Sequence, residues 1–570
     1  MEKERKSSRS GGKGASGGRP FKSEGQAGQR ELVVIAKTEA GLRATKEGVA
    51  SAAGTDVSAL SKLLESEGAS MQPLCGLSEE RMRERTRSLA AESGQDVPDM
   101  SVFYHVEAPD ERLDGLAESL RALEVVENAY VKGPSCEPVV ATEEVEVLND
   151  MAPATEEPPI TTPDFANRQG YLGPAPGGID AHYAWSVAGG RGAGVKIVDC
   201  EWGWRFTHED LLENQMGVII GNSSSNDNHG TAVLGEISGD RNAFGILGIC
   251  PDAIVGAARF GNTAQIIRQA ADKLSAGDII LLEIHRAGPN ATGAGQFGYI
   301  AVEWWPDDFS AIRYAVSKGI IVVEAAGNGS QNLDDAIYNT RPTGFPSWWR
   351  NPFNTDNPSS GAVLVGAGAP PPGTHGRNHG PDRSRLGFSN YGARVDCQGW
   401  GREVTSTGYG DLQGGSNKDE WYTDQFSGTS SASPIVVGAL GCIQGALRAQ
   451  GGPLLTPARA ISLVRKYGSP QQDAPGRPKT QHIGNRPDLR QMIPAVTSAW
   501  LYNKTVVRTH AKNGSQMAWA YLQGSGWRRV NPRSSDGVSN VFQILCAGLA
   551  NSRKVDVYIR NGQIEQATLR

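Results

Sequence analysis

The sequence predicts an α/β protein built on a parallel sheet with helices on both faces, and three observations lead there. Between Pro163 and about Met492, strand-length apolar runs alternate repeatedly with amphipathic helical stretches. The strand-like runs GVKIVDCEWG, AIVGAARF and GIIVVEAAGN are apolar almost throughout, as strands covered on both sides must be. The helical stretches end at glycines, Gly277 and Gly319, immediately before the next strand begins.

Each element can be justified in order. Residues 1–30 are rich in Gly, Ser, Lys and Arg with almost no apolar content, so they read as a disordered basic tail. Residues 31–135 form a small α+β unit: ELVVIAK and SVFYHVEA are strands, SALSKLLES and SEERMRERTRSLAAES helices, and DERLDGLAESLRAL followed by VENAYVKG closes a β-α-β pattern. Residues 136–162, rich in Glu, Pro, Thr and Val, read as an extended acidic linker. The large α/β domain occupies 163–492. In the helical stretch TPARAISLVRKYG, Thr456 is the N-cap, Pro457 the first helical residue and Gly468 the stop. Residues 493–570 break into short alternating runs separated by Gly, Asn and Ser, which predicts a small all-β module.

Composition bounds the function. At 570 residues the chain exceeds one ordinary core. A net charge of -6 offers no global attraction to nucleic acid or anionic lipid. No apolar run reaches the roughly 18 residues of a membrane span, so none is expected. The seven cysteines show neither a CxxC pair nor zinc-ligand spacing. The basic start lacks an apolar signal region, which leaves the cytoplasm as the default compartment without excluding secretion.

Three residues carry candidate chemistry. In FSGTSSASP, Ser430 stands at the entrance of a long apolar helix, where free N–H groups and a partial positive charge favour an alkoxide and a neighbouring oxyanion. A lone serine there reads as an N-cap; a nucleophile needs a base near neutrality, and histidine supplies one. His229, in NDNHGTAV, opens a second apolar helix. Asp199 ends the apolar strand IVDCEWG at the carboxyl edge of the sheet, where an acid can be held against an imidazole.

The order Asp, His, Ser, in VDCEWGWRFTHEDL, HGTAV and GTSSASP, resembles the subtilisin-like serine peptidases, the subtilase family. The likeness extends through RNAFGILGICPDA, EAAGNGS and GFSNYGARVDCQGWGREVTSTG and covers roughly Asp180 to Gly468. It implies a subtilisin-like fold and an endopeptidase whose triad is Asp199, His229 and Ser430, with Asn328 donating to the oxyanion. It also implies peptide substrates, no required cofactor, and structural calcium whose ligands are not assignable. Residues 31–135 resemble the family's ferredoxin-like inhibitory prodomain, acting in cis on a self-processed zymogen. The segment IILLEIHRAGPN departs from the family's Ser-x-Gly substrate strand, placing Glu283, His285 and Ala287 there; Ser431 and Cys200 replace a usual methionine and small hydroxyl residue. Those departures motivate an alternative, a catalytically silent or permanently autoinhibited subtilase-like domain that binds a partner protein. An α/β-hydrolase esterase is disfavoured because Ser430 is not in GxSxG.

Overall fold

The computed structural model describes residues 30–45, 48–94, 96–138, 161–293, 295–513, 516–560 and 562–570. The predicted basic tail, Arg30 excepted, and almost all of the acidic linker lie outside these residues.

The N-terminal unit contains strands β1 (Glu31–Ala36), β2 (Ser70–Pro73), β3 (Phe103–Glu107) and β4 (Val126–Lys132) in one antiparallel sheet of order β2-β3-β1-β4. Helices α1 (Ser58–Ser66), α2 (Glu79–Ser93) and α3 (Leu113–Arg121) separate the strands. The run ELVVIA is apolar without alternation because both of its faces are covered. Leu32 and Val34 pack with Leu60, Leu116 and Leu120 of the unit's own helices. Val33 and Ile35 turn the other way and join the core of the large domain beside Ile267 and Trp304.

That large domain is a seven-stranded parallel sheet of β6 (Lys196–Glu201), β7 (Gln215–Ile220), β8 (Ile254–Arg259), β9 (Ile279–Leu282), β12 (Ile321–Ala325), β13 (Val363–Gly368) and β14 (Cys397–Trp400). Its order is β14-β13-β12-β9-β6-β8-β7, so β6 and β9 are neighbours near the middle. Between β9 and β12, two short strands, β10 (His285–Ala287) and β11 (Tyr299–Ala301), form a separate antiparallel ribbon.

Pleating sorts the helices. Ile197, Leu281 and Val323 face one core with α4 (Asn228–Ser238), α7 (Thr429–Ala449) and α8 (Pro457–Lys466). Val198, Ile280 and Val322 face the other, with α5 (Thr263–Lys273) and α6 (Pro306–Ser317). Helix α7 is long and apolar enough to cross a membrane by length and composition, but it lies wholly inside this core. Its Pro434 is the sixth helical residue, beyond the first turn.

After α9 (Leu489–Thr497) come two three-stranded sheets, one of β15 (Ala499–Lys504), β19 (Val555–Arg560) and β20 (Gln563–Leu569), the other of β16 (Val506–Lys512), β17 (Met517–Leu522) and β18 (Gly526–Arg529). The expected all-β module is therefore α+β, because helix α10 (Ser535–Ala550) packs Val538 and Leu545 against both sheets. The run SNVFQILCAG is apolar enough for a buried strand or a helix, and Ser534 capping the N–H of Gly537 decides for helix.

Candidate active site

Pleat geometry sets the acids of the site. On β6, Ile197, Asp199 and Glu201 project to the same face, two residues or about 6.6 Å apart along the strand. Glu201 is the outermost of them, at the carboxyl edge. His229, the second residue of α4, meets Glu201: its Nδ1 lies 2.7 Å from Glu201 Oε2. Asp199, one pleat repeat deeper, makes no bond to the imidazole; its Oδ2 accepts from Trp204 Nε1 at 2.7 Å. The structure thus separates the expected acid from the expected base and seats Glu201 between them, because the strand runs two residues farther than the resemblance assumed.

The two carboxyls face one another in a fully buried setting. Burial raises the Asp199 pKa to about 6 and that of Glu201 well above the carboxylate range, so two negative charges here are disfavoured. Burial lowers His229 to about 3, which keeps the imidazole neutral. Its Nδ1–H then donates to Glu201, and Nε2, without a hydrogen-bond partner among the described residues, is left as an acceptor.

Ser430 is the second residue of α7, directly after Gly428 and Thr429. Asn328 follows β12, and its Oδ1 accepts from the N–H and hydroxyl of Thr429 at 2.9 and 3.0 Å, which locks the amide toward the serine. The space between them is filled by the N-terminal segment. Strand β5 (Ser135–Cys136) pairs antiparallel with β10, Cys136 opposite His285, as the third strand of the β10–β11 ribbon. Two residues on, the carbonyl of Pro138 accepts hydrogen bonds from Ser430 Oγ, at 3.0 Å, and from Asn328 Nδ2. Gly428, at φ +112°, permits this approach: a Cβ there would lie 2.3 Å from the same carbonyl oxygen. Glu137 reaches the acid pair, with one carboxylate oxygen within 4.8 Å of Glu201 and His229. Burial and then Asp199 push its pKa up to about 8.

A model of the Subtilase family matches residues 219–464. An intracellular serine protease of Paenibacillus polymyxa is 27% identical over 280 residues, spanning 47% of this chain and 71% of that protein. Subtilisin BL of Lederbergia lenta is 28% identical over 257 residues, 44% of this chain and 77% of its own. Thermitase of Thermoactinomyces vulgaris is 28% identical over 296 residues, 49% and 84% respectively. Over the greater part of its large α/β domain the chain is similar to the subtilase family. It is a serine-type endopeptidase.

The departures from the family pattern noted in sequence have structural consequences. Glu283 follows β9 and is fully buried beside helix α7, where Ser433 Oγ lies 2.5 Å from its Oε1. Ser431 Oγ lies 2.9 Å from the carbonyl of Trp400 and 3.2 Å from that of Gly428, so its one hydrogen has an acceptor on either side, an anchor a methionine could not make. Cys200 is a fully buried small side chain on the opposite face of β6 from the acids. Sequence reasoning missed Glu201, although the period of two along VDCEWG offered it as readily as Asp199.

Proposed function

We propose that this chain hydrolyses peptide bonds with Ser430 as nucleophile, His229 as general base and Glu201 as the carboxylate that orients it. In the derived mechanism, His229 Nε2 takes the Ser430 proton as Oγ attacks the scissile carbonyl. Asn328 Nδ2 and the backbone N–H of Ser430 receive the oxyanion. His229 then returns the proton to the leaving amine, and water resolves the acyl-enzyme. Glu201 holds the Nδ1–H tautomer. The chemistry as derived uses only side chains and backbone of this chain.

One observation supports this reading above all: a peptide carbonyl, that of Pro138, accepts from both Ser430 and Asn328 while its chain pairs with β10 as a substrate would. The same contact supports a cis-acting role for residues 31–138 as an inhibitory prodomain, with Pro138–Val139 as the bond cut on maturation. Mass spectrometry of the purified full chain should find a product beginning at Val139, and Ser430→Ala should remain intact. Equal clipping in both proteins, or none in either, would defeat self-processing.

The permanently autoinhibited alternative has support of its own. Lys132 of β4 is completely buried and donates to Asp307 at 2.7 Å and to Asp308 at 2.9 Å, at the start of α6. A fluorophosphonate separates the readings: an adduct on Ser430 supports turnover, and its absence on folded protein supports the binding module.

A further inference from the structure

We propose that Glu283 is held as a neutral carboxylic acid behind the nucleophile, and that its proton keeps Ser430 competent, so that activity fails on the alkaline side when Glu283 ionises. This rests on the reading of Ser430 as nucleophile given above.

The hydrogen-bond geometry requires the proton. Ser433 Oγ lies 2.7 Å from the carbonyl of Thr429 and 2.5 Å from Glu283 Oε1. A hydroxyl has one hydrogen, and a carbonyl can only accept, so the hydrogen of Ser433 goes to Thr429. The shorter contact then has to be made by a hydrogen on Glu283. Were Glu283 ionised, two oxygens without a hydrogen between them would be forced together in a site without solvent.

The surroundings agree. Glu283 is 0% exposed, and its Oε2 has no partner among the described residues. The titratable groups facing it are acids on every side: Asp199 and Glu201 from β6, Glu236 from α4, and Glu137 from the N-terminal segment. From α7 it meets only the hydroxyls of Ser433 and Ser430. Burial therefore raises its pKa well above the carboxylate range. Kept neutral, the carboxyl clamps the first turn of α7 through Ser433. Once ionised, it would present a negative charge to the serine oxygen as that oxygen itself becomes negative, and like charges in a dry site repel strongly. Glu283 is thus a positioning residue whose charge state gates the nucleophile.

The test compares the full chain with its Glu283→Gln and Glu283→Leu variants. Glutamine donates to Ser433 as the acid does and cannot ionise. The infrared difference spectrum, wild type minus Glu283→Gln near neutral pH, should contain the carbonyl band of a protonated carboxylic acid. Fluorophosphonate labelling of Ser430 should fall about tenfold per pH unit on the alkaline side in wild type. In Glu283→Gln that limb should vanish or move up by at least about one pH unit, and Glu283→Leu should label slowly at every pH while Gln restores the rate. A missing infrared band, or the same alkaline limb in wild type and Glu283→Gln, overturns the proposal. Failure of Ser430 to label in any of the proteins would instead remove the nucleophile beneath it, with the infrared band still deciding the protonation.

Discussion

In the proposed mechanism, the residue at which the chemistry turns is Glu201. A carboxylate 2.7 Å from Nδ1 fixes both the tautomer and the angle of the imidazole, whereas one two residues deeper reaches the ring only through its neighbour. Glu201→Gln should therefore lower kcat by about 10³–10⁴, the scale on which a wrong tautomer acts, and Asp199→Asn by no more than about tenfold. Steady-state kinetics on one peptide substrate decides between them, and the reverse ranking would return the orienting role to Asp199. The places of Ser430, His229 and Asn328 at helix entrances and after a strand could be read from sequence because each lies in a short motif joined to the start or end of an element. Glu201 could not be separated from Asp199 that way, since both occupy the same face and only the length of β6 tells which one meets the helix.

At the scale of elements, the sheet and its helices follow from periodicity, and the errors fall where periodicity is ambiguous. Helix α10 is one case. Helix α4 shows a different strain: from His229 to Ser238 every residue is buried, including Glu236, neither of whose oxygens has a hydrogen-bond partner among the described residues. Burial raises its pKa well above the carboxylate range, with Glu283 adding to the effect. The folded chain thus keeps a proton that the unfolded chain loses near pH 4.3. More protons are bound folded than unfolded, so this group subtracts stability progressively as pH rises above that value. Glu236→Gln should gain on wild type by up to about 1.4 kcal/mol for each pH unit above it. Denaturant unfolding of both proteins at several pH values measures the slope, and parallel stability curves would contradict it.

For the whole molecule, the decisive feature is how the N-terminal unit is seated. Its sheet shares an apolar core with α5 and α6, and buried charges pin the edge. Lys132 meets Asp307 and Asp308, while Glu31 accepts from Arg286 at 2.5 Å and from Asn262 at 2.6 Å. Burial opposes the charge on Glu31, but Lys132 and Arg286 hold its pKa down to about 2. Replacing one partner leaves the others buried and unpaired, at about 3–5 kcal/mol. Lys132→Met should then release the cleaved N-terminal segment about 10²–10³ times faster than wild type, followed by its separation on a sizing column. An unchanged release rate would mean that the apolar contact alone holds it.

The segment's tip answers to pH. Glu137 sits among acids, and burial and then Asp199 push its pKa up to about 8, so ionising it works against the seated position. A peptide ending in Glu137 and Pro138 should inhibit less well as pH rises from the ordinary carboxylate range toward about 8, by up to tenfold per unit. The same peptide with Gln in place of Glu137 should show no such decline, and identical pH dependence in both peptides would refute the repulsion.

What the amino-acid order alone determined is the set of local elements and the motifs at their ends: fully apolar strands, helices punctuated by glycine, a serine and a histidine at helix entrances, an asparagine after a strand. These follow from pleat and helix periods and from turn chemistry, which act over a few residues. Only the tertiary structure decided which acid meets His229, that Pro138 lies against Ser430 and Asn328, and that Glu283 must keep its proton. Those outcomes depend on strand length, on pairing between residues more than a hundred positions apart, and on burial among other acids, and no local period encodes any of the three.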